Sequence, residues 1–326
     1  MRRSRTIILL CLVALLAQSP TQALETDPYL SWGPELDDAI EPLNAKVNLE
    51  IDKVLDRLGR RRAAKRLSCQ TVADHISAHF RTLIFHPVEI WASKSPLVDR
   101  WPPTEEEELQ SKRHNLLGNR GPWDIGGWLP ESPTIELHGV RVGTDKLAHF
   151  FSGGGSYYRF YNRFLAQGIP ADEAQREVID RGIFSEKTFL GYGTSGVLSA
   201  ADLEANFRGM QFLLGLCDGP APLLTAVDGR FKKTREFDFR AYVTVEWDES
   251  YNNSGFVKRR WKKVLPRLRQ HCGRLQDPWV VERRRRYAER DVVTPTEARI
   301  AEQLAAGRID DLRQFSLDSV CRPDGG

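Results

Sequence analysis

Two short stretches hold the residues best suited to chemistry. Gly143 to Gly155 reads G-T-D-K-L-A-H-F-F-S-G-G-G, and Ser199 to Gly209 reads S-A-A-D-L-E-A-N-F-R-G. In each, a carboxylate at a helix start is followed four residues later by a second polar group, Asp145 with His149 and Asp202 with Asn206, so each pair shares one helical face. If the two helices pack side by side, with Gly153 and Gly209 permitting close approach, the four side chains face one another. Glu186, on the apolar face of the intervening helix, can join them. Carboxylates and an imidazole converging in a helical core can hold a divalent metal, with Asp145, His149 and Asp202 as ligands, or serve as a general acid and base. In that enzymatic reading Asp145, His149, Glu186 and Asp202 ligate or move protons, Asn206 orients, and Asp248 and Glu249 are further candidates.

The same residues have a structural explanation, which carries more weight. A carboxylate in a first helical turn is favoured by about 0.3–1 kcal/mol through the helix dipole, and His149 and Asn206 can simply hydrogen-bond those acids. Other chemistries lack their patterns. The Glu-x-x-His repeat of di-iron bundles is missing, the glycines around Ser195 do not form G-x-S-x-G, and no Gly-rich or Walker sequence links a strand to a helix.

The elements that must position these groups are mostly helices. Ile40, Leu43, Val47, Ile51, Val54 and Leu58 predict an amphipathic helix over Glu35 to Arg60. Ser68 caps the next, whose apolar face is Val72, Ile76, Phe80 and Leu83. His75, His79 and His86 edge that face if the helix runs unbroken. Such a stripe can bind metal, but Pro87 disfavours helix at His86, and histidines bordering a core explain it better. Pro96 to Pro133, rich in Trp, Pro and Gly, predicts a long surface loop. Ile135, Leu137, Val140 and Val142 around His138-Gly139 predict a short hairpin. Helices follow over Thr144 to Ala166, from Pro170 onward through Ile183, and over Ser199 to Leu216. Gly153, Gly154 and Gly155 each cost about 1 kcal/mol against Ala in a helix, so they call for a close neighbour. Phe237 to Trp247 reads as a strand. The expected fold is mainly α, a helical core with a short β-hairpin and one further strand. Its four parts are a signal peptide (1–23), an N-terminal helical region with the Trp/Pro/Gly-rich loop (24–133), the helical core with the polar residues (134–219), and a strand, basic helix and C-terminal segment (220–326).

Arg2, Arg3 and Arg5, an apolar run to Ala17 and the small-residue site ending at Ala23 read as a secretory signal peptide. The expectation is therefore an exported protein, periplasmic or secreted. Without those three arginines the 47 basic residues fall to 44, equal to the 44 acidic ones. Global charge therefore says nothing about nucleic acid, and no nucleic-acid partner is expected. Cys69, Cys217, Cys272 and Cys321 permit two disulfides in three connectivities. The favoured pairing joins Cys272 to Cys321, stapling the C-terminal segment, and leaves Cys69 with Cys217. Lys258 to Arg290 carries thirteen Lys and Arg against Asp277, Glu282 and Glu289. With Phe256, Trp261, Val264, Leu265 and Leu268 interleaved, it can lie on an anionic membrane surface, or pack on the core with its charges in water.

D-K-x-x-H-F at Asp145 to Phe150, the acid Glu186, and S-x-x-D-L-x-A-N-x-x-G at Ser199 to Gly209 together resemble a group of uncharacterised bacterial envelope proteins, some of them small lipoproteins and some VanZ-like. W-D-E-x-x-N at Trp247 to Asn252 is similar to a pattern downstream in secreted relatives. The likeness covers about the middle quarter of the chain. It implies an exported bacterial protein with a helical core around these residues, and no established activity. The expected function is an envelope-associated structural or interaction protein with a cell-envelope or protein partner. The alternatives are a metal-dependent or acid/base hydrolase of an envelope component, and a peripheral binder of anionic lipid.

Overall fold

The computed structural model describes residues 26–60, 67–81, 86–104, 106–107, 116, 132–188 and 190–322. The signal-peptide stretch and most of the Trp/Pro/Gly-rich loop lie outside these residues.

Helix α1 (Ile40–Gly59) buries Leu43, Val47, Ile51, Val54 and Leu58, the stripe its spacing predicted. Helix α2 (Cys69–Phe80) begins at Ser68, whose hydroxyl accepts the Thr71 amide, and packs on α1 through Val72, Ile76 and Phe80. It ends at Phe80, so His86 is not on it. His86 instead caps α3 (Pro87–Lys94) by accepting the Val88 amide. Its other ring nitrogen contacts the Phe80 carbonyl at 2.6 Å. Burial holds its pKa down at about 4. His79 pairs with Glu50, so the three histidines do not form a common site.

Strands β1 (Thr134–Leu137) and β2 (Val140–Gly143) form the expected hairpin, with both turn residues, His138 and Gly139, at positive φ. Helix α4 (Asp145–Ala148) follows and runs without a break through a π turn (His149–Gly153) into α5 (Gly154–Ala166). Helix α6 (Ala171–Lys187) buries Ala174, Val178, Ile179, Ile183 and, as expected, Glu186. A short β3 (Val197–Leu198) leads into α7 (Ala200–Leu214), which Ser199 caps through the Asp202 amide. Helix α7 is the central element and packs on α4, the π turn, α5 and α6. A Cβ at Gly154 would sit 2.6 Å from Gly209 Cα, and one at Gly209 would run into the Phe150 carbonyl. Those glycines are the close approach that offsets their helix cost.

Strands β4 (Leu224–Val227) and β5 (Arg230–Lys233) form a second hairpin. The strand expected over Phe237 to Trp247 is not there. That segment is two short 3-10 turns, Phe239–Ala241 and Val245–Trp247. Its later amides close the turns themselves, and its first groups bond side chains of α1: Asn48 Oδ1 accepts the Phe237 amide (2.8 Å), Asn48 Nδ2 donates to the Phe237 carbonyl (2.9 Å), and Asn44 Oδ1 accepts the Phe239 amide (2.9 Å). With those groups satisfied, the segment needs no partner strand. Its Phe237, Phe239, Tyr242 and Trp247 rings join Phe150 in an aromatic cluster.

Strand β6 (Gly255–Phe256) pairs with β3, and α8 (Lys258–Leu268), α9 (Pro278–Arg290), α10 (Pro295–Ala305) and α11 (Leu317–Val320) complete the chain. Val264 and Leu268 of α8 are buried in a second apolar cluster with Tyr29, Trp32 and Phe315. The apolar side of the basic helix thus packs inward, leaving Lys258, Arg259, Lys262 and Lys263 exposed. Helix α9 docks on the first hairpin through Arg283, which pairs with Glu136 at 3.0 Å and stacks on Trp279. Disulfides Cys69–Cys217 and Cys272–Cys321 match the favoured pairing. No described helix is long and apolar enough to cross a membrane.

Candidate functional site

Asp145 and Lys146 open α4, His149 opens the π turn, and Asp202 and Asn206 lie one turn apart on α7. The close crossing at Gly154 and Gly209 brings the two sets together. His149 Nε2 lies 3.1 Å from Asp202 Oδ2, and its Nδ1 lies 3.2 Å from Asn206 Oδ1. Four of the five expected residues therefore meet. Glu186 is buried nearby and adds its charge to the field His149 feels.

At the centre is a residue the sequence reading did not assign a role. Lys146 is fully buried, and its Nζ lies 2.6 Å from Asp145 Oδ2, 2.7 Å from Asp202 Oδ1 and 3.1 Å from Glu249 Oε1. Burial alone would disfavour the ammonium, but the three carboxylates hold its pKa well above the ordinary lysine value. Ser199, the cap of α7, also donates to Glu249 at 2.7 Å. Thr26 donates to Asp145 Oδ1 at 2.9 Å and extends the network to the N-terminal segment. Gly143 is required there, because a Cβ would strike both Thr26 and Asp145. The network therefore ties the N-terminal segment, α4, the π turn, α7 and the turn at Glu249.

The protonation states follow from these contacts. Burial opposes a charged His149, yet the Asp202 carboxylate overcomes it and holds the pKa up at about 9. At neutral pH His149 is an imidazolium, donating Nε2–H to Asp202 and Nδ1–H to the Asn206 carbonyl oxygen. Burial would raise the Asp202 pKa, but His149 and Lys146 hold it well below the usual carboxylate range. Burial, reinforced by Asp145, pushes Glu89 up to about 8, and Ser132 donates to it at 2.9 Å. Glu89 is thus a neutral acid at the edge of the network.

Asp145, His149 and Asp202 can place one donor atom each within 4.8 Å of the others, a spacing a metal ion would need. The donors are nonetheless committed. Lys146, Thr26 and His149 occupy all four oxygens of the two aspartates, and both nitrogens of His149 have partners. The Lys146 ammonium already supplies a cation between Asp145 and Asp202. In this arrangement the three side chains are engaged with one another and with Lys146. Asp145 is 1 % exposed and Lys146 0 %, while His149 and Asp202 are 6 % exposed. Asp248, the other candidate, lies apart from the network. It accepts from Ser250 and from Tyr287, both under 3 Å.

On its other side α7 borders a cleft. Ala200 and Glu204 line this cleft, of about 500 Å³, with Glu246, Asp291, Thr296 and Glu297. Glu204 and Glu246 are distant in sequence from Asp291 and Glu297, so no local spacing would have marked the group. No family model, curated protein or solved structure matches the chain.

Proposed function

We propose that the chain is a non-catalytic, exported structural or interaction protein of the bacterial envelope, in which the polar network is an internal staple. The observation that carries this reading is Lys146, an ammonium held between three carboxylates, two of which are the aspartates a metal would need. A base at His149 would have to lose its proton against Asp202, and substrate would have to reach groups that are almost wholly enclosed. Two disulfides suit an oxidising compartment. Contact with an anionic partner falls to Lys258, Arg259, Lys262 and Lys263, the charges α8 turns to solvent. Their contribution would be electrostatic and salt-sensitive, since the helix's apolar residues are used in the second core.

The test is transition-metal content by mass spectrometry of protein purified without a metal column, beside His149→Ala. The expected result is no stoichiometric transition metal in either and a less stable variant. About one equivalent of metal per chain, lost in a still-folded His149→Ala, would overturn the reading in favour of a metal-dependent hydrolase.

A further inference from the structure

Several buried carboxylates of this protein are matched by cations, while others, such as Glu89 and Asp248, are held by hydroxyl and amide donors. Asp145, Asp202 and Glu249 share Lys146, Glu136 has Arg141 and Arg283, and Glu204 has Arg208. The cleft beside α7 departs from that pattern. Glu246 from the second 3-10 turn, Asp291 just past the end of α9 and Glu297 in the first turn of α10 each place an oxygen within 4.8 Å of the others. Among the described residues none of the three pairs with a Lys or Arg. Glu246 is only 7 % exposed. Asp291 also stands at the C-terminal end of a helix, where the dipole disfavours negative charge.

Two further buried residues border the same cleft. Thr296 lines the cleft, is 1 % exposed, and its hydroxyl has no hydrogen-bond partner. Glu204 gives one oxygen to Arg208 at 2.6 Å, and its other oxygen, also buried, has no hydrogen-bond partner. A buried hydroxyl or carboxylate oxygen without a partner is unfavourable, so contact with a cation would be favoured there. Tyr251 donates to Asp291 at 2.8 Å, fixing that carboxylate at the mouth.

We propose that this cleft is a calcium site, with Glu246, Asp291 and Glu297 as its carboxylate ligands and the Thr296 hydroxyl at its inner end. Every donor is oxygen, which selects a hard cation over zinc or copper. Three carboxylates on separate elements, two of them exposed, suit the flexible coordination of Ca²⁺ better than the strict octahedron of Mg²⁺. The open side leaves room for water ligands, and the affinity belongs with extracellular modules, at roughly 10⁻⁴–10⁻³ M. The site is separate from the Lys146 network, and its failure would leave the reading of that network untouched.

The experiment is calorimetric titration of chelator-stripped, disulfide-intact protein with CaCl₂, alongside thermal unfolding with and without the ion. One Ca²⁺ per chain is expected, with an unfolding midpoint raised by about a few degrees in millimolar Ca²⁺ and a weaker response to Mg²⁺. Asp291→Asn and Glu297→Gln alter exposed side chains, so both should fold. Each should weaken Ca²⁺ at least tenfold, and Asp291→Asn should also raise the calcium-free midpoint by relieving repulsion. No heat and no midpoint shift at about 10 mM Ca²⁺, or unchanged affinity in both variants, would overturn the proposal.

Discussion

Replacing Lys146 by Met keeps most of the side-chain volume and removes only the charge, so it isolates what the ammonium does. Three carboxylate oxygens lie within 3.1 Å of Nζ, and the residue is fully buried. Removing one partner of a buried ion pair costs about 3–5 kcal/mol, because the other charge is stranded. Here one substitution strands three carboxylates and leaves only the His149 imidazolium among them, which puts the loss at the upper end, roughly 4–5 kcal/mol. Against a typical stability of about 5–15 kcal/mol this is a large fraction. It corresponds to a midpoint fall on the order of 10 °C in thermal unfolding followed by circular dichroism. The loss should be smaller near pH 5 than near pH 8, because the stranded acids can then take up a proton. Adding Asp145→Asn to the variant should recover part of it, since one charge is withdrawn while the Thr26 hydroxyl can still donate to the amide oxygen. A Lys146→Met protein as stable as the parent near pH 8 would refute the assignment of Lys146 as the network's counter-charge.

His149 has a folded pKa of about 9 against 6.5 unfolded, so its contribution is complete below pH 6.5 and lost as pH rises through 9. At about 1.4 kcal/mol per unit it amounts to roughly 3 kcal/mol. Denaturant titrations across that window should show the slope in the parent and a flatter profile in His149→Gln, and equal slopes would contradict the ion pair with Asp202. Gly209→Ala drives a methyl into the Phe150 carbonyl and should cost roughly 3 kcal/mol, while Gly59→Ala, with nothing within 4 Å, should be neutral or slightly stabilising. Chemical denaturation of the two variants decides this. Cys69→Ser with Cys217→Ser opens a link spanning 148 positions and should remove about 4–5 kcal/mol, read as a lower denaturant midpoint than in the disulfide-intact protein.

The helices were legible because their apolar residues recur at three and four, as in α1, and because Ser68 and Ser199 stand where caps belong. The pairs Asp145 with His149 and Asp202 with Asn206 were legible for the same reason, since spacing of four is local information. Lys146 was not. Its place in D-K-x-x-H-F was its only mark, because spacing gives it no partner until Asp202 and Glu249 arrive from distant parts of the chain. The Phe237 to Trp247 segment misled because alternating aromatics signal burial on one side, not the identity of the backbone's partners. Those partners are amides from α1. The histidine stripe failed where α2 stops, at Phe80. The acidic cleft assembles Glu246, Asp291 and Glu297 from three elements, a juxtaposition that only the tertiary fold creates.

Asn44 and Asn48 impose an order on assembly. They receive a segment about 190 positions further along the chain, so the lid over one side of α1 reaches it late during N-to-C delivery. Until then α1 presents Leu43, Val47 and Ile51 without their aromatic cover. Closure at such separation is slow, and its loop entropy must be spent before any contact repays it. A chain cut short of Phe237 would keep its helical periodicity and still lack the plug that finishes its core. Asn44→Ala or Asn48→Ala should therefore act as an assembly defect more than a local one, leaving a greasy helix waiting for a latch with nothing to catch.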